Sequence, residues 1–453
     1  MTNEPIVADT IAAIATPPGR GGIGVIRISG PAAPAIAKSL SGSLPKPRVA
    51  ALCRFAGGDK NAIDEGILIY FAAPNSFTGE EVVELQGHGG PVVQDMLLQA
   101  VVELGARLAR PGEFSERAFL NGKLDLAQAE AVADLIESGS TQAARSALKS
   151  LQGAFSKEIH QLVELLTRLR VYVEAAIDFP EEEIDFLADN RVGEELAHIE
   201  KQFEKLLAAT KQGCILHDGM TVVLVGKPNV GKSSLLNALA GQDSAIVSDI
   251  PGTTRDIIRE HIQIDGMPVH VLDTAGLRDS GDEIETEGVR RAKAAMEKAD
   301  RVLVIVDDNV TSDDELEKMV ADLPCGGPCT VVRNKIDLTN KEPTYIDTRC
   351  YKEVAVSAKT GAGLDKLRQH LKDCMGFQAS GEGTFMARRR HLDAIERAQA
   401  HLAEGKKQLQ ESKAGELLAE ELRLAQKSLG EITGEVTSDD LLGEIFSSFC
   451  IGK

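Results

Sequence analysis

At 453 residues with 43% hydrophobic content, the chain can bury more than one core, and its length suggests about three domains. Its 50 basic against 69 acidic side chains give a net charge of -19, which argues against a surface built for broad, nonspecific nucleic-acid binding, so any nucleic acid it binds must be held locally or with help. No apolar run approaches the roughly 18 residues of a membrane span, the first residues lack the positive n-region of a signal peptide, and 7 scattered cysteines suit a reducing compartment, so a cytoplasmic protein is expected.

In chain order, the first 118 residues read as mixed strand and helix, with strands near 24–28, 66–71 and 81–85. Gly19, Gly21 and Gly24 fit a dinucleotide-binding fingerprint, but they follow two prolines and lead into a strand, the reverse of the required order, so that reading is rejected. Phe155, Ile159, Leu162, Leu166, Leu169 and Val173 are spaced 4-3-4-3-4, which predicts an amphipathic helix in a bundle. Residues 178–185 hold five acids with no histidine or cysteine and read as an acidic turn rather than a metal site.

Residues 226–233, Gly-Lys-Pro-Asn-Val-Gly-Lys-Ser, match the phosphate-binding loop, between the strand-like run 221–225 and a predicted helix. Backbone N–H groups there can close around phosphate oxygens, Lys232 can meet the β- and γ-phosphates, and the Ser233 hydroxyl can ligate Mg2+. Asn229 in this loop can ligate a monovalent cation lying against the phosphates. Residues 248–256 occupy the place of a nucleotide-sensing switch, with Thr254 as the second Mg2+ ligand; Arg255 is either a catalytic finger or a structural or partner contact. A strand at 269–272 delivers Asp273, Thr274, Ala275 and Gly276, where the carboxylate can hold a Mg2+ water and Gly276 can offer its N–H to the γ-phosphate. Leu277 stands where a Ras-like protein places a water-orienting glutamine, so any hydrolysis needs help from elsewhere; the acidic loop 278–288 is either that help or a solvated loop.

After a buried strand at 302–306, the run 330–333 leads into Asn334-Lys335-Ile336-Asp337. The Asp337 carboxylate can accept from guanine N1–H and the 2-amino group, donors that adenine lacks. Ser357, Ala358 and Lys359 complete a base pocket. Beyond it, Arg388, Arg389, Arg390 and His391 form the densest basic cluster, readable as a phosphate contact, a solvated helix face or an internal ion pair. Leu392, Ile395, Ala398, Leu402 and Leu409 draw a second helical stripe, so the helical segments flanking the nucleotide-binding core are expected to pack together, with the core inserted between them. Cys450 holds the position of a prenylation cysteine, but the Gly452-Lys453 ending is a poor lipidation signal.

The phosphate-loop asparagine, Gly252-Thr253-Thr254-Arg255-Asp256 and Asp273-Thr274-Ala275-Gly276-Leu277-Arg278 resemble the Era-like P-loop GTPases. The runs at 15–22, 85–90 and 122–126 and the terminal Cys450-Ile451-Gly452-Lys453 narrow this resemblance, over essentially the whole chain, to the MnmE (TrmE) family of tRNA modification GTPases. The fold it implies is an α/β P-loop GTPase domain inserted into an α-helical domain, preceded by an α+β folate-binding-like domain. The segments are 1–118 for the tetrahydrofolate-binding and dimerisation domain, 119–216 and 379–453 for the two helical parts, and 217–378 for the GTPase domain.

The resemblance further implies a homodimer that joins the FAD-dependent MnmG (GidA) in a heterotetramer or larger complex. With it, a K+-activated GTPase installs a carboxymethylaminomethyl or aminomethyl group at C5 of the wobble uridine of certain tRNAs. GTP, Mg2+, K+ and 5,10-methylene- or 5-formyl-tetrahydrofolate are the implied cofactors, and no membrane is involved. Its GTP-binding positions are Asn229, Val230, Gly231, Lys232, Ser233, Ser234, Ser248, Thr253, Thr254, Asp273, Thr274, Ala275, Gly276, Asn334, Lys335, Asp337, Ser357, Ala358 and Lys359. Ser233 and Thr254 hold Mg2+, while Asn229, Ser248, Ile250 and Thr253 hold K+. Glu285 orients water, and Arg27, Glu84 and Lys123 bind folate, with Lys453 folding back toward them. Cys450 is either a nucleophile near that site or a structural cysteine. A second class of reading is a regulatory GTPase switch on ribosomal RNA without one-carbon chemistry; relatives of that kind carry basic RNA-binding modules, which this acidic chain fits poorly.

Overall fold

The computed structural model describes residues 9–58, 60–178, 190–240, 259–273, 294–321, 323, 328–348, 351–378, 385–412, 414–436, 439–450 and 452. The chain divides into two compact units, one of 1–133, 151–174 and 415–453, the other of 134–150 and 175–414.

The first unit is built on a six-stranded sheet of β1 (Ile11–Ile14), β2 (Gly21–Ser29), β3 (Ala51–Ala56), β4 (Ala62–Phe71), β5 (Val82–Gly89) and β6 (Arg107–Leu108), in the order β3-β4-β5-β2-β1-β6. Neighbours are antiparallel except β1 and β6. Alternation sorts the faces: Ile26, Ile28, Leu68, Val83 and Leu85 are buried with residues of α1 (Ala33–Ser41) and α2 (Pro91–Glu103), while Glu84 and Gln86 point the other way. Gly24, the last glycine of the rejected fingerprint, lies inside β2, where a methyl group would stand 1.7 Å from Gln94 Nε2 of α2; it serves packing. Helix α3 (Glu113–Leu120) follows, and the start of α4 (Leu126–Glu137) packs with Ile445, Phe446 and Phe449 from the end of the chain.

The second unit carries a seven-stranded sheet of β7 (Met220–Val225), β8 (Arg259–Ile264), β9 (Met267–Asp273), β10 (Arg301–Asp307), β11 (Cys329–Asn334), β12 (Tyr345–Asp347) and β13 (Lys352–Ala355), in the order β12-β13-β11-β10-β7-β9-β8. The five central strands are parallel and only the two edges are antiparallel. A strand covered on both faces must be apolar throughout, and β7 obeys, with Val222, Val223 and Leu224 all at or below 1% exposure. In such a sheet, ligands gather at the carboxyl ends of the strands.

Both helical stripes form. Phe155 to Val173 line the buried side of α6 (Ala154–Asp178), which follows α5 (Thr141–Leu151). Leu392, Ile395, Ala398 and Leu402 are buried in the helix Arg389–Ser412, with Leu409 half-buried. Each unit joins a helix preceding the parallel sheet in sequence to one following it. In the first unit, Gln426 on the helix Gly415–Thr433 accepts from Arg170 at 2.6 Å and donates to Thr167 at 2.8 Å. In the second, Lys406 pairs at 2.7 Å with Glu200 of α7 (Asn190–Asp218). Of the basic cluster, Arg388 is an internal ion pair, 2.6 Å from the buried Asp134, whereas Arg389 meets Asp393 on an exposed face. Beyond residue 178, the acidic turn 179–185 lies outside the described residues.

Candidate functional site

The phosphate loop springs from the end of β7 and runs into α8 (Lys232–Ala240). Asn229 (φ 64°) and Gly231 (φ 95°) are both left-handed, which turns the loop back on itself. At Gly231 only glycine fits, because a methyl group would lie 2.4 Å from Asn334 Nδ2. Val230 between them is buried and anchors the loop. The Lys232 ammonium curls over the loop, donating to the Gly226 carbonyl at 3.0 Å and the Lys227 carbonyl at 3.2 Å. Ser233 and Ser234 are exposed in the first turn of α8, where unpaired N–H groups and the helix dipole favour an anion.

The residues expected to recognise a base lie at the ends of β11 and β13 and are wired to this loop. Asn334, 2% exposed, donates from Nδ2 to the Val230 carbonyl at 2.9 Å, and its Oδ1 accepts from Lys335 N at 2.8 Å and Ala358 N at 3.0 Å. Lys335 donates to the Asn229 carbonyl at 2.8 Å. Ser357, fully buried, donates at 2.6 Å to Asp337 Oδ1 in the short helix Ile336–Thr339. A carboxylate accepts about four hydrogen bonds, so Asp337 keeps capacity for two more donors. Lys359 is exposed beside this pocket. Phosphate loop and base loop thus form one hydrogen-bonded network that fits a guanine nucleotide.

Asp273 ends β9 in register with Leu224, which sets its backbone beside the start of the phosphate loop. Ser248, Ile250, Thr253, Thr254, Thr274, Ala275, Gly276 and Glu285 lie outside the described residues. Sequence reasoning missed Asp307, whose Oδ2 is 2.7 Å from Lys335 Nζ, and Asp308, which accepts from Thr339 Oγ1 at 2.6 Å and Lys341 Nζ at 2.9 Å. The signal available was a pair of acids at the end of an apolar strand one strand from the base motif.

In the first unit, Arg27 and Glu84 are register partners on β2 and β5. Both Arg27 Nε (3.1 Å) and Nη2 (2.9 Å) donate to Glu84 Oε1, and the guanidinium lies 5.4 Å from the Phe77 ring and 5.8 Å from the Phe114 ring. By residues alone these pass as surface charges; the structure makes them a half-buried pair bracketed by aromatics. Lys123 Nζ reaches the Pro74 carbonyl at 3.0 Å, on the segment that carries Phe77. The chain end returns to the same sheet. Gly112 N donates to the Cys450 carbonyl at 3.4 Å, Gly452 (φ 95°) lies against Ile14, and Ile14 is the β1 partner of Ile26, the residue before Arg27. Cys450 is exposed, and Lys453 lies outside the described residues. At the start of α3, Glu113 takes hydrogen bonds from Arg107, Arg117 and the Arg110 N–H. Burial opposes its ionisation, yet these donors outweigh burial and bring the carboxyl down to about 2.

A family model of the MnmE helical domain matches residues 126–450, and one of the GTP-binding protein TrmE N-terminus matches residues 10–123. The chain is 59% identical over 450 residues to the tRNA modification GTPase MnmE of Sodalis glossinidius (strain morsitans), covering 98% of this chain and 99% of that protein. The tRNA modification GTPase MnmE of Yersinia pseudotuberculosis serotype IB (strain PB1/+) is also 59% identical, with the same coverage. The chain belongs to the MnmE (TrmE) family of tRNA modification GTPases.

Proposed function

We propose that the chain hydrolyses GTP and, with an FAD-dependent MnmG partner, takes part in adding a carboxymethylaminomethyl or aminomethyl group to C5 of wobble uridine in certain tRNAs. The observation that carries the nucleotide half is the network joining Asn229 and Val230 to Asn334, Lys335 and, through Ala358 and Ser357, to Asp337. It grips both ends of one guanine nucleotide. The tRNA half rests on family membership.

In this reading Lys232 and the first turn of α8 hold the phosphates, and Ser233 with Thr254 holds Mg2+. Asn229, Ser248, Ile250 and Thr253 cage K+, and Glu285 orients the attacking water. A K+ ion against the phosphates supplies the positive charge that an arginine finger supplies elsewhere. Arg27, Glu84, Lys123 and Lys453 form the folate site, with the Glu84 carboxylate aimed at the pterin amide and amine and the cations at the glutamate carboxylates. Tetrahydrofolate supplies the carbon, and Cys450 stands beside that site as its candidate nucleophile. The working assembly is a homodimer joined to MnmG in the cytoplasm, and the segments divide at 118, 216 and 378.

The test is GTP hydrolysis by the purified full chain in K+ and in Na+, with binding of 5-formyl-tetrahydrofolate measured alongside. Faster turnover in K+ is expected, as is loss of folate binding in Arg27→Ala. Equal rates in both salts remove the cation cage, and unchanged folate affinity in Arg27→Ala removes the folate site.

A further inference from the structure

We propose that Asp307 is a positioning residue for nucleotide binding, fixing the Lys335 ammonium that ties the phosphate loop to the base loop. The proposal rests on the reading that this site takes a guanine nucleotide.

Asp307 closes β10 directly opposite Asn334 in the β10–β11 register. Its Oδ2 lies 2.7 Å from Lys335 Nζ, and the same ammonium donates to the Asn229 carbonyl at 2.8 Å. The carboxylate is itself held, since its Oδ1 accepts from Asn309 N at 3.1 Å. With side chains 15% and 32% exposed, the pair is mostly out of water and attracts more strongly than a surface pair. Lys335 sits in a left-handed conformation (φ 68°) at the start of the base loop. The far end of that loop is held separately by Asp308, through Thr339 and Lys341. Removing Asp307 therefore frees only the Lys335 end. The ammonium then keeps one neutral carbonyl partner, its rotamers widen, and the two loops lose a fixed spacing. Because one nucleotide must engage both loops at once, the loss falls on its residence time rather than on the chemistry of bound GTP.

The experiment compares the wild-type full chain with Asp307→Asn and Asp307→Glu, measuring release of fluorescent mant-GDP by stopped flow and KM and kcat for GTP. Asp307→Asn should release mant-GDP about tenfold faster or more and raise KM in parallel, with kcat little changed. Asp307→Glu should restore part of the lost affinity. Release at the wild-type rate in Asp307→Asn overturns the proposal, as does a fall in kcat at constant KM. Hydrogen exchange of the nucleotide-free β10 and β11 amides should match wild type; a loss of protection that accounts for the loss of affinity also overturns it. If the wild-type chain itself fails to bind mant-GDP, the guanine-nucleotide reading fails instead.

Discussion

Replacing Asn334 with alanine should damage the second unit more than any exposed substitution, because one buried amide there serves three backbone groups. The Val230 carbonyl loses its donor at 2.9 Å, and the Lys335 and Ala358 N–H groups lose their acceptor at 2.8 and 3.0 Å. A hydrogen bond contributes about 1 kcal/mol net, so the three together amount to about 3 kcal/mol. Asn334 is 2% exposed, so water cannot readily replace them. In native-state hydrogen exchange of the full chain, about 3 kcal/mol appears as roughly a 100-fold loss of protection for amides of β7, β10 and β11. GDP affinity should fall with it, since phosphate loop and base loop separate at the same residue. A loss of protection below about threefold would refute the additive reading of these three bonds.

Asp337→Asn puts an amide where guanine offers two donors and xanthine offers a carbonyl. Competition against mant-GDP should show GTP weakened about 100-fold or more and XTP strengthened, and unchanged GTP binding would count against the pocket. Glu113, held at about 2 against an ordinary 4.5, is depressed on folding. Its contribution of about 3 kcal/mol is therefore present above pH 4.5 and is lost as pH falls toward 2, so acid titration of β1 and β5 protection should flatten over that window in Glu113→Gln. His217 has the opposite sign. Burial works against its charge, but hydrogen bonds to Asp134 and Asp218 outweigh burial and lift it to about 9. It stabilises fully below pH 6.5 and loses that contribution as pH rises through 9; an imidazole titrating by NMR near 6.5 would contradict the ion-pair geometry.

The architecture was legible because it rests on local periodicity. The apolar run 302–306, the β-branched-rich run 221–225 and the Val331-Val332 centre of 330–333 form central parallel strands, while the 4-3-4-3-4 stripe from Phe155 to Val173 forms the buried side of α6. The base motif was legible for a different reason: Asn334, Lys335 and Asp337 must follow one strand at fixed spacing. What could not be read was partnership across the chain. Nothing in the sequence joins Asp307 to Lys335, Arg388 to Asp134, or Glu113 to Arg107, because each pair meets only when separate elements pack. Arg27 and Glu84 lie 57 positions apart, and only the β2–β5 register makes them neighbours. The Arg388 cluster left three readings open on sequence, and the buried Asp134 decides among them for that residue.

The central claim is that this GTPase serves tRNA modification, and the direct test is mass spectrometry of tRNA nucleosides. Cells lacking the gene would carry either the wild-type chain or Lys232→Ala, with C5-substituted wobble uridines measured in each. The account predicts their loss without the gene, their return with the wild-type chain, and little return with Lys232→Ala. Their persistence in cells lacking the gene would contradict it.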